Sequence, residues 1–282
     1  CAFFGRTPPC ADAIVDAGIR RVVFAMKDPH ESAGKSRKLF KKHDIAFQFD
    51  LFELEARMQN QIFLKNVLRK MPYVTSKIAM TLDGKIASFS GESRGISSYE
   101  SLKKVHRLRS QSQAILVGSN TVERDNPHLG VRYAKGHDPV RIMLDSCLKS
   151  SPDSQVFRDS NVLVFTLQKA SLKRKKLFQT KGIVFVELFQ IIPSDVLKEL
   201  FRRGIVNVFV EGGSKVLTSF WEAGCIDRYI ACISPKLAGG VEALSPLSGD
   251  GKKYVKNFDV LQKVSVEQCG DDIWIDGYLS VY

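Results

Sequence analysis

The sequence lacks the features that define several classes of protein. It contains no unbroken apolar run near the roughly 20 residues of a membrane-spanning helix, and no basic segment followed by an apolar secretory leader. We therefore expect a cytoplasmic protein with no membrane partner. None of its five histidines is followed two residues later by Glu, so the chain has no His-x-Glu element of a zinc-dependent nucleobase deaminase. It also has no Gly-x-Gly-x-x-Gly fingerprint, which argues against a Rossmann domain.

Cysteine is scarce as well. The chain has six cysteines, at positions 1, 10, 147, 225, 232 and 269. In a chain of 282 residues this number does not form a dense disulfide framework. We expect the last four to be small buried apolar residues, the usual role of a free cysteine.

The first ten residues resemble part of a metal site in their chemistry. Cys1 and Cys10 are separated by Gly5-Arg6 and Pro8-Pro9, which make the intervening backbone rigid and strongly turned. The two thiolates are candidate zinc ligands, although a zinc site needs at least three protein ligands. Because the chain begins with Cys1 and the interior-like Ala2-Phe3-Phe4 instead of Met, we expect a missing N-terminal part.

Positive charge is abundant. The chain has 42 Lys and Arg against 30 Asp and Glu, a net charge of +12, which favours an anionic partner. That partner could be nucleic acid, a membrane surface or a phosphorylated small molecule. The basic clusters at 35–42 and 173–176 lie beside apolar residues at helical spacing, typical of a solvated helix face. Since Phe40 is the only aromatic residue within them, they lack the interleaved aromatic residues suited to base stacking, and we expect no nucleic-acid partner.

Helical and strand patterns alternate along the chain, which predicts an α/β fold. We place a domain boundary near Met71-Pro72, giving domains of residues 1–71 and 72–282. The predicted helices cover residues 11–17, 36–43, 53–70, 99–110, 194–203 and 215–223. The predicted strands cover residues 20–25, 45–49, 73–80, 85–89, 114–117, 140–145, 162–165, 183–188, 205–210, 228–233 and 273–281.

Residues 72–132 concentrate groups that hold phosphate. An Asp83-Gly84 turn and a small polar loop, residues 90–93, precede a helix that Ser97 and Ser98 can start and that is rich in Lys and Arg. The strand at 114–117 then ends in a polar break at 118–121. Amides, hydroxyls and guanidinium groups bind phosphate, but on spacing alone we favour ordinary loops and a solvated charged helix of an α/β protein.

A second such element begins at an uncharged strand, residues 205–210, that runs directly into Glu211-Gly212-Gly213-Ser214 and a helix. Two glycines let a ligand approach the backbone, and a helix start presents free amides to a phosphate. An ordinary strand-to-helix turn is the simpler interpretation. We favour a functional one, because Glu at the end of an apolar strand is costly to desolvate without a partner.

Several of these residues match, in identity and order, the motifs of a known protein family. The matching residues are Lys77, Leu82-Asp83-Gly84, Ser90-Gly91-Glu92-Ser93, Leu108-Arg109, Asp125-Asn126-Pro127 and Val131-Arg132. In them the chain resembles the reductase domain of the bifunctional riboflavin-biosynthesis deaminase and reductase family. Gly5-Arg6-Thr7-Pro8-Pro9-Cys10 resembles the second half of that family's deaminase motif, whose two cysteines bind zinc. The fold implied is an incomplete cytidine-deaminase-like N-terminal domain followed by a dihydrofolate-reductase-like domain.

The resemblance also implies a reaction. It is the NADPH-dependent reduction of 5-amino-6-(5-phosphoribosylamino)uracil, a phosphorylated aminopyrimidine, from its ribosylamino to its ribitylamino form. In full-length members this step is coupled to zinc-dependent deamination of the diaminopyrimidine precursor. A homo-oligomer is expected as well. Gly95 stands where many members carry an aromatic residue, so a stacking surface for the cofactor is missing there.

Residue roles are carried over only where the sequence matches. The implied substrate-binding residues are Ser93, Arg109, Leu129, Arg132 and Glu211, with the two arginines as phosphate partners. The implied cofactor-binding residues are Ala79, Thr121, Asp125, Ser146, Gly213, Ser214, Lys215, Val216, Leu217, Thr218 and Ser219. The candidate catalytic residues are Lys77, Asp83 and Glu211, of which the first two orient the ribose or relay a proton. An Asp in a turn is otherwise usually a turn residue.

Two other functions remain open at this point. A basic RNA-binding module would explain the charge, and it predicts retention on polyanions that falls steeply with salt. A reductase acting on a pterin-like or folate-like substrate would share the fold, and it predicts turnover with dihydrofolate. Arg109 and Arg132 suit a phosphorylated substrate better.

Overall fold

The computed structural model describes residue 4 and residues 7–30, 34–49 and 51–282. It divides into two compact units, residues 1–70 with 281–282 and residues 71–280. In its described part, the first unit contains α1 (Cys10–Asp16), β1 (Arg21–Val23), α2 (Gly34–Lys42), β2 (Ala46–Gln48), α3 (Glu53–Gln59) and α4 (Gln61–Arg69).

The second unit contains the remaining strands and helices. In chain order these are β3 (Tyr73–Thr81), α5 (Tyr99–Ser110), β4 (Ala114–Gly118), α6 (Ser119–Asp125), β5 (Val140–Leu144), β6 (Val162–Leu167), α7 (Leu172–Thr180), β7 (Phe185–Leu188), α8 (Pro193–Arg202), β8 (Asn207–Val210), α9 (Ser214–Glu222), β9 (Arg228–Ser234), β10 (Gln262–Cys269) and β11 (Asp272–Tyr278).

The first unit is small and has its own core. Strands β1 and β2 pair in parallel. Ala11 from α1, Phe40 from α2 and Ile45 are buried together, and Phe24 stacks on Phe40 with ring centroids 6.1 Å apart. Offset aromatic pairs of this kind add to the free energy gained by burying the rings.

The second unit is built on a nine-stranded sheet with the order β10-β11-β9-β3-β8-β4-β5-β6-β7. The six strands from β3 to β7 in this order, and the β3–β9 pair, are parallel. The strands β11 and β10 add an antiparallel end. The α/β fold that the alternating pattern predicts is therefore confirmed.

Both faces of this sheet are buried, which explains why its central strands are apolar without alternation. In β4, Ala114 and Leu116 belong to one hydrophobic cluster, and Ile115 and Val117 belong to another. Since successive residues of a strand point to opposite faces, the two clusters cover the two faces of the sheet. All five residues of β4 are buried. A strand in this position can be placed accurately from its composition alone.

Two predicted elements differ from the structure because of their hydrogen bonds. The helix expected over residues 53–70 is interrupted at Asn60, where the backbone leaves the helical region and the side-chain amide donates to Ala56 O at 2.7 Å. The strand expected over residues 85–89 does not form. Its backbone N–H groups do not pair with a neighbouring strand: Lys85 N donates to Thr81 Oγ1, and Ile86 N donates to Leu244 O.

Three further differences concern loops, an edge strand and a cysteine. The polar break expected at 118–121 is the start of α6. The edge strand β10 was not predicted, because its residues are nearly all exposed and show no buried face. Cys225 and Cys232 are buried as expected, but Cys147 is exposed, since the neighbouring Leu148 takes the buried position.

In the part of the chain that the structure describes, no helix is long and apolar enough to cross a membrane.

Leu116→Ala tests the role of the central strand. Leu116 has no exposed surface, so the truncation should leave a cavity and lower the free energy of unfolding by about 2–5 kcal/mol. Chemical denaturation measures this change. Leu172→Ala, at a leucine 81% exposed at the start of α7, is the matched control and should change little. Equal effects of the two variants would contradict the assignment of Leu116 to the core.

Candidate active site

The candidate site residues lie along one edge of the sheet. Neighbouring parallel strands β3, β8, β4 and β5 end at the same edge, about 4.8 Å apart. Glu211 directly follows β8, Thr121 lies in the helix after β4, and Ser146 lies just beyond β5. In open α/β sheets, ligands bind at the carboxyl ends of the strands.

The register of β3 and β8 places Lys77 next to Glu211. Ser76 of β3 pairs with Val210 of β8, so the next residues along the two strands, Lys77 and Glu211, stand side by side. Burial lowers the pKa of Lys77, and the charge of Arg109 lowers it further, while the charge of Glu211 opposes the shift. A buried lysine with a lowered pKa exchanges a proton more readily near neutral pH.

The central interaction of the site is a buried ion pair. Arg109 Nε donates to Glu211 Oε1 and Arg109 Nη2 donates to Glu211 Oε2, both at 2.7 Å. Burial alone would raise the pKa of Glu211, but the charge and hydrogen bonds of Arg109 and the charge of Lys77 hold it below its ordinary value. Arg109 is therefore the partner that a buried Glu at this position requires.

Arg109 was predicted as a phosphate partner, and its surroundings limit how it can act. Its third nitrogen, Nη1, donates to Gly130 O at 3.2 Å. A guanidinium has five N–H donors, so two remain after these three protein contacts. A contact between Arg109 and a phosphate stays a prediction. In the structure, Arg109 binds Glu211 and the backbone of the loop at Gly130.

Asp83 is held by a turn. Its carboxylate accepts from Thr81 Oγ1 at 2.6 Å, from Ala238 N at 3.1 Å and from Gly239 N at 2.7 Å. The bond from Thr81, followed by the two backbone bonds, lowers the pKa of Asp83 to about 2. The side chain stays ionised at neutral pH and fixes the loop around Gly239. This geometry matches a turn residue, and a proton relay through Asp83 stays a prediction.

Ser93 and Asp125 link the substrate and cofactor parts of the site. Ser93 Oγ donates to Asp125 Oδ2 at 3.1 Å, and the Arg94 guanidinium donates to Asp125 O. The loop after α6 contains Leu129, buried and with φ of 56°, and then Arg132. The Arg132 guanidinium lies 5.6 Å from the centroid of the Tyr133 ring.

One site residue was not among the predicted ones. His106 is buried on α5, and its Nδ1 accepts from Arg132 N at 2.9 Å. The sequence does hold a clue, because His106 precedes Arg109 by one helical turn and therefore shares its face. Because most of the polar residues in this helix are charged, the sequence does not distinguish His106 from its solvent-exposed neighbours.

A cleft of about 530 Å³ lies at the same edge of the sheet. Most of the predicted cofactor residues line it: Thr121, Asp125, Ser146, Gly213, Ser214, Lys215 and Val216. Leu217 and Thr218 are instead buried within α9, where Thr218 Oγ1 donates to Ser214 O and Ser219 Oγ donates to Val216 O. Ala79 lies in β3 and packs against the core.

The start of α9 fits a phosphate-bearing cofactor. A Cβ on Gly212 would lie 2.7 Å from Val216 Cβ, and one on Gly118 would lie 2.7 Å from Val216 Cγ2. Glycine is therefore required for the close packing of this turn. In the described part of the chain, the buried Oγ of Ser214 has no hydrogen-bond partner. An unpaired hydroxyl beside the free amides of a helix start is the arrangement that an anionic ligand can satisfy.

The zinc expectation has no such support. Cys10 is exposed at the start of α1, and Cys1 lies outside the described residues. Across the ranges that the structure describes, no group of three or more His, Cys, Asp and Glu side chains is placed to hold a metal ion. The described residues do not fit a zinc site, so no chemical step is derived through zinc.

Arg109→Ala should destabilise the protein strongly, because it leaves Glu211 buried without its partner. Loss of one member of a buried pair costs about 3–5 kcal/mol, which chemical denaturation measures. Arg202→Ala removes an arginine from an exposed pair with Glu199 and should leave the unfolding midpoint unchanged. A midpoint for Arg109→Ala equal to that of Arg202→Ala would show that the buried pair contributes no stability.

The sequence matches a protein-family model and several known proteins. The family model for the RibD C-terminal domain matches residues 72–275. The riboflavin biosynthesis protein RibD of Aquifex aeolicus is 38% identical over 278 residues, covering 98% of this chain and 77% of that protein. RibD of Bacillus amyloliquefaciens is 37% identical over 279 residues, covering 97% of this chain and 75% of that protein.

Solved structures extend the similarity to three dimensions. RibD of Acinetobacter baumannii matches with a TM-score of 0.85 at 30% identity, covering 99% of this chain and 78% of that one. The diaminohydroxyphosphoribosylaminopyrimidine deaminase/5-amino-6-(5-phosphoribosylamino)uracil reductase of Thermotoga maritima matches with a TM-score of 0.80 at 32% identity, covering 99% of this chain and 76% of that one. These matches confirm the mixed α/β fold that the resemblance implies, and the chain belongs to the RibD family of riboflavin biosynthesis proteins.

Proposed function

We propose that this chain is an NADPH-dependent reductase of riboflavin biosynthesis that converts 5-amino-6-(5-phosphoribosylamino)uracil to its ribitylamino product. The proposal rests on the position of three charged residues, Lys77, Arg109 and Glu211. They lie at the strand ends that also open into the glycine-lined cleft. The Thermotoga maritima relative, 32% identical over nearly the whole chain, is named for this reductase activity.

The cofactor is expected to lie along the cleft. The start of α9, with Gly213 and the unpaired Ser214 hydroxyl, would hold the pyrophosphate through its amides and dipole. Thr121 and Ser146 offer hydroxyls from the ends of the next two strands. NADPH, when bound, supplies the hydride, so the protein has to supply orientation and a proton path.

The substrate is expected beside β3 and β8. Reduction of a ribosylamino to a ribitylamino group adds one hydride and one proton. We assign the proton to Lys77, because burial lowers its pKa and it stands beside Glu211 at the strand ends. Arg132 is the expected phosphate partner, and Ser93 would contact the pyrimidine or ribose from the opposite loop.

Several finer predictions belong to this proposal. The domain boundaries at residues 71 and 72, the homo-oligomer and a cytoplasmic location stay predictions. Zinc-dependent deamination also stays a prediction, carried by the family resemblance of the first ten residues. Membership of the RibD family favours the reductase over an RNA-binding module. A pterin-like substrate is tested by the assay below.

The assay follows NADPH oxidation at 340 nm with 5-amino-6-(5-phosphoribosylamino)uracil, and with dihydrofolate as the competing substrate. Arg132→Ala should raise the KM for the aminopyrimidine roughly 10- to 100-fold, since one charge-assisted contact to a phosphate is lost. The KM for NADPH should not change. Arg107→Ala, at an exposed arginine on α5, is the matched control. Folded wild-type protein that turns over only dihydrofolate, or neither substrate, would overturn the proposal.

Gly212→Ala tests the cofactor half of the site. The new methyl group would clash with Val216 and displace the start of α9, so we expect the KM for NADPH to rise about tenfold. Gly34→Ala is the control, because a Cβ there meets nothing within 4 Å. Steady-state kinetics with each substrate varied in turn separates the two halves of the site. A larger change in the KM of the aminopyrimidine than of NADPH would contradict the assignment.

A further inference from the structure

His106 is a buried titratable residue to which the proposed reaction gives no role. It has no exposed surface, and its Nδ1 accepts from the backbone N–H of Arg132 at 2.9 Å. Because Nδ1 accepts, a neutral ring carries its proton on Nε2. That nitrogen is buried and has no hydrogen-bond partner among the residues the structure describes.

The unpaired Nε2 argues against a role in packing alone. A buried donor without a partner costs free energy, whereas an apolar side chain of similar size would fill the same space without that cost. What an apolar side chain cannot provide is the acceptor at Nδ1. The hydrogen bond to Arg132 is therefore the property that calls for histidine at this position.

Burial, together with the positive charges around the ring, keeps His106 neutral. Burial lowers the pKa of His106 to about 4, and the charges of Arg109, Arg132 and His128 act in the same direction, while Glu211 opposes them. These groups come from α5, from the loop after α6 and from the end of β8. At neutral pH the ring is therefore uncharged and Nδ1 is free to accept.

The loop that His106 contacts is held at successive residues. Arg109 donates to Gly130 O, Asp138 accepts from Val131 N at 2.7 Å, and His106 accepts from Arg132 N. His106 and Arg109 lie one turn apart on the same helix, so one helix face holds this loop at two points. Tyr133 packs edge-on against the His106 ring, with centroids 4.8 Å apart, and so continues the contact beyond Arg132.

We propose that His106 is a positioning residue for substrate binding: its Nδ1 fixes the backbone at Arg132 to α5, and thereby places the Arg132 guanidinium for the substrate phosphate. The inference rests on the proposed function for the role of Arg132. It adds that the phosphate contact and the Arg109–Glu211 pair are set by the same helix face. A change at His106 should therefore affect the substrate and leave the cofactor alone.

The test compares His106→Leu with His106→Asn in the 282-residue chain. Leu removes the acceptor, whereas the Asn side-chain oxygen occupies nearly the same place as Nδ1 and can accept the same bond. Val105→Ala, at a buried residue of the same helix outside the site, controls for loss of stability. The readouts are kcat, the KM of each substrate, and hydrogen exchange at the Arg132 amide.

We expect His106→Leu to raise the KM for the aminopyrimidine about tenfold, the effect of losing one contact of ordinary strength, with kcat and the KM for NADPH within about twofold. His106→Asn should restore most of the affinity, and Val105→Ala should leave the KM unchanged. Equal losses in the Leu and Asn variants, or a parallel rise in the KM for NADPH, would overturn the inference.

Hydrogen exchange separates this inference from the proposed function. The Arg132 amide should be protected in the wild type and in His106→Asn, and should exchange faster in His106→Leu. If the wild type shows no reductase activity, the proposed function fails, and exchange still reports whether His106 fixes Arg132. If the wild type is active but the Arg132 amide exchanges equally in all variants, the inference alone fails.

Discussion

The site depends on one constraint: a carboxylate placed at the end of an apolar strand has to be neutralised inside the protein. Glu211 lies where β8 leaves the sheet, and Arg109 satisfies both of its oxygens from a helix more than 100 residues earlier in the chain. The pair holds α5 against the strand ends. It also fixes the loop at Gly130 and leaves Lys77 beside a permanent negative charge.

The order of the strands turns this local constraint into a site with two ends. Lys77 lies in β3, and Glu211 and the glycine turn of α9 directly follow the adjacent strand β8; the next strands along the sheet, β4 and β5, lead to Thr121 and Ser146. A long ligand can therefore lie across the strand ends with its reactive part beside the buried charges. The sheet sets the distances, and the loops only supply functional groups.

Residues with a simple environment could be predicted from the sequence. The apolar run of β4 is buried on both faces, so its composition indicated a central strand. The sequence also indicated that Glu211 needs a partner, but not that the partner is Arg109, since long-range pairing depends on the fold. The region at 85–89 failed because its apolar composition resembles a strand while its hydrogen bonds go to a distant loop at Leu244. His106 was missed because its spacing from Arg109 shows only that the two share a helix face, whereas its hydrogen bond to the backbone of Arg132 depends on the fold.

The edge strand β10 has a consequence for how the protein behaves at high concentration. An open sheet edge offers unpaired backbone groups to any other extended chain, which is a route to aggregation. In β10 the register shifts between Gln262 and Ser265, and Lys263 between them has φ of 50°. Such a bulge bends the edge away from straight pairing, and the lysine adds a charge that a docking strand would have to desolvate. The irregularity at Lys263 therefore disfavours straight pairing of another strand with this part of the antiparallel end of the sheet.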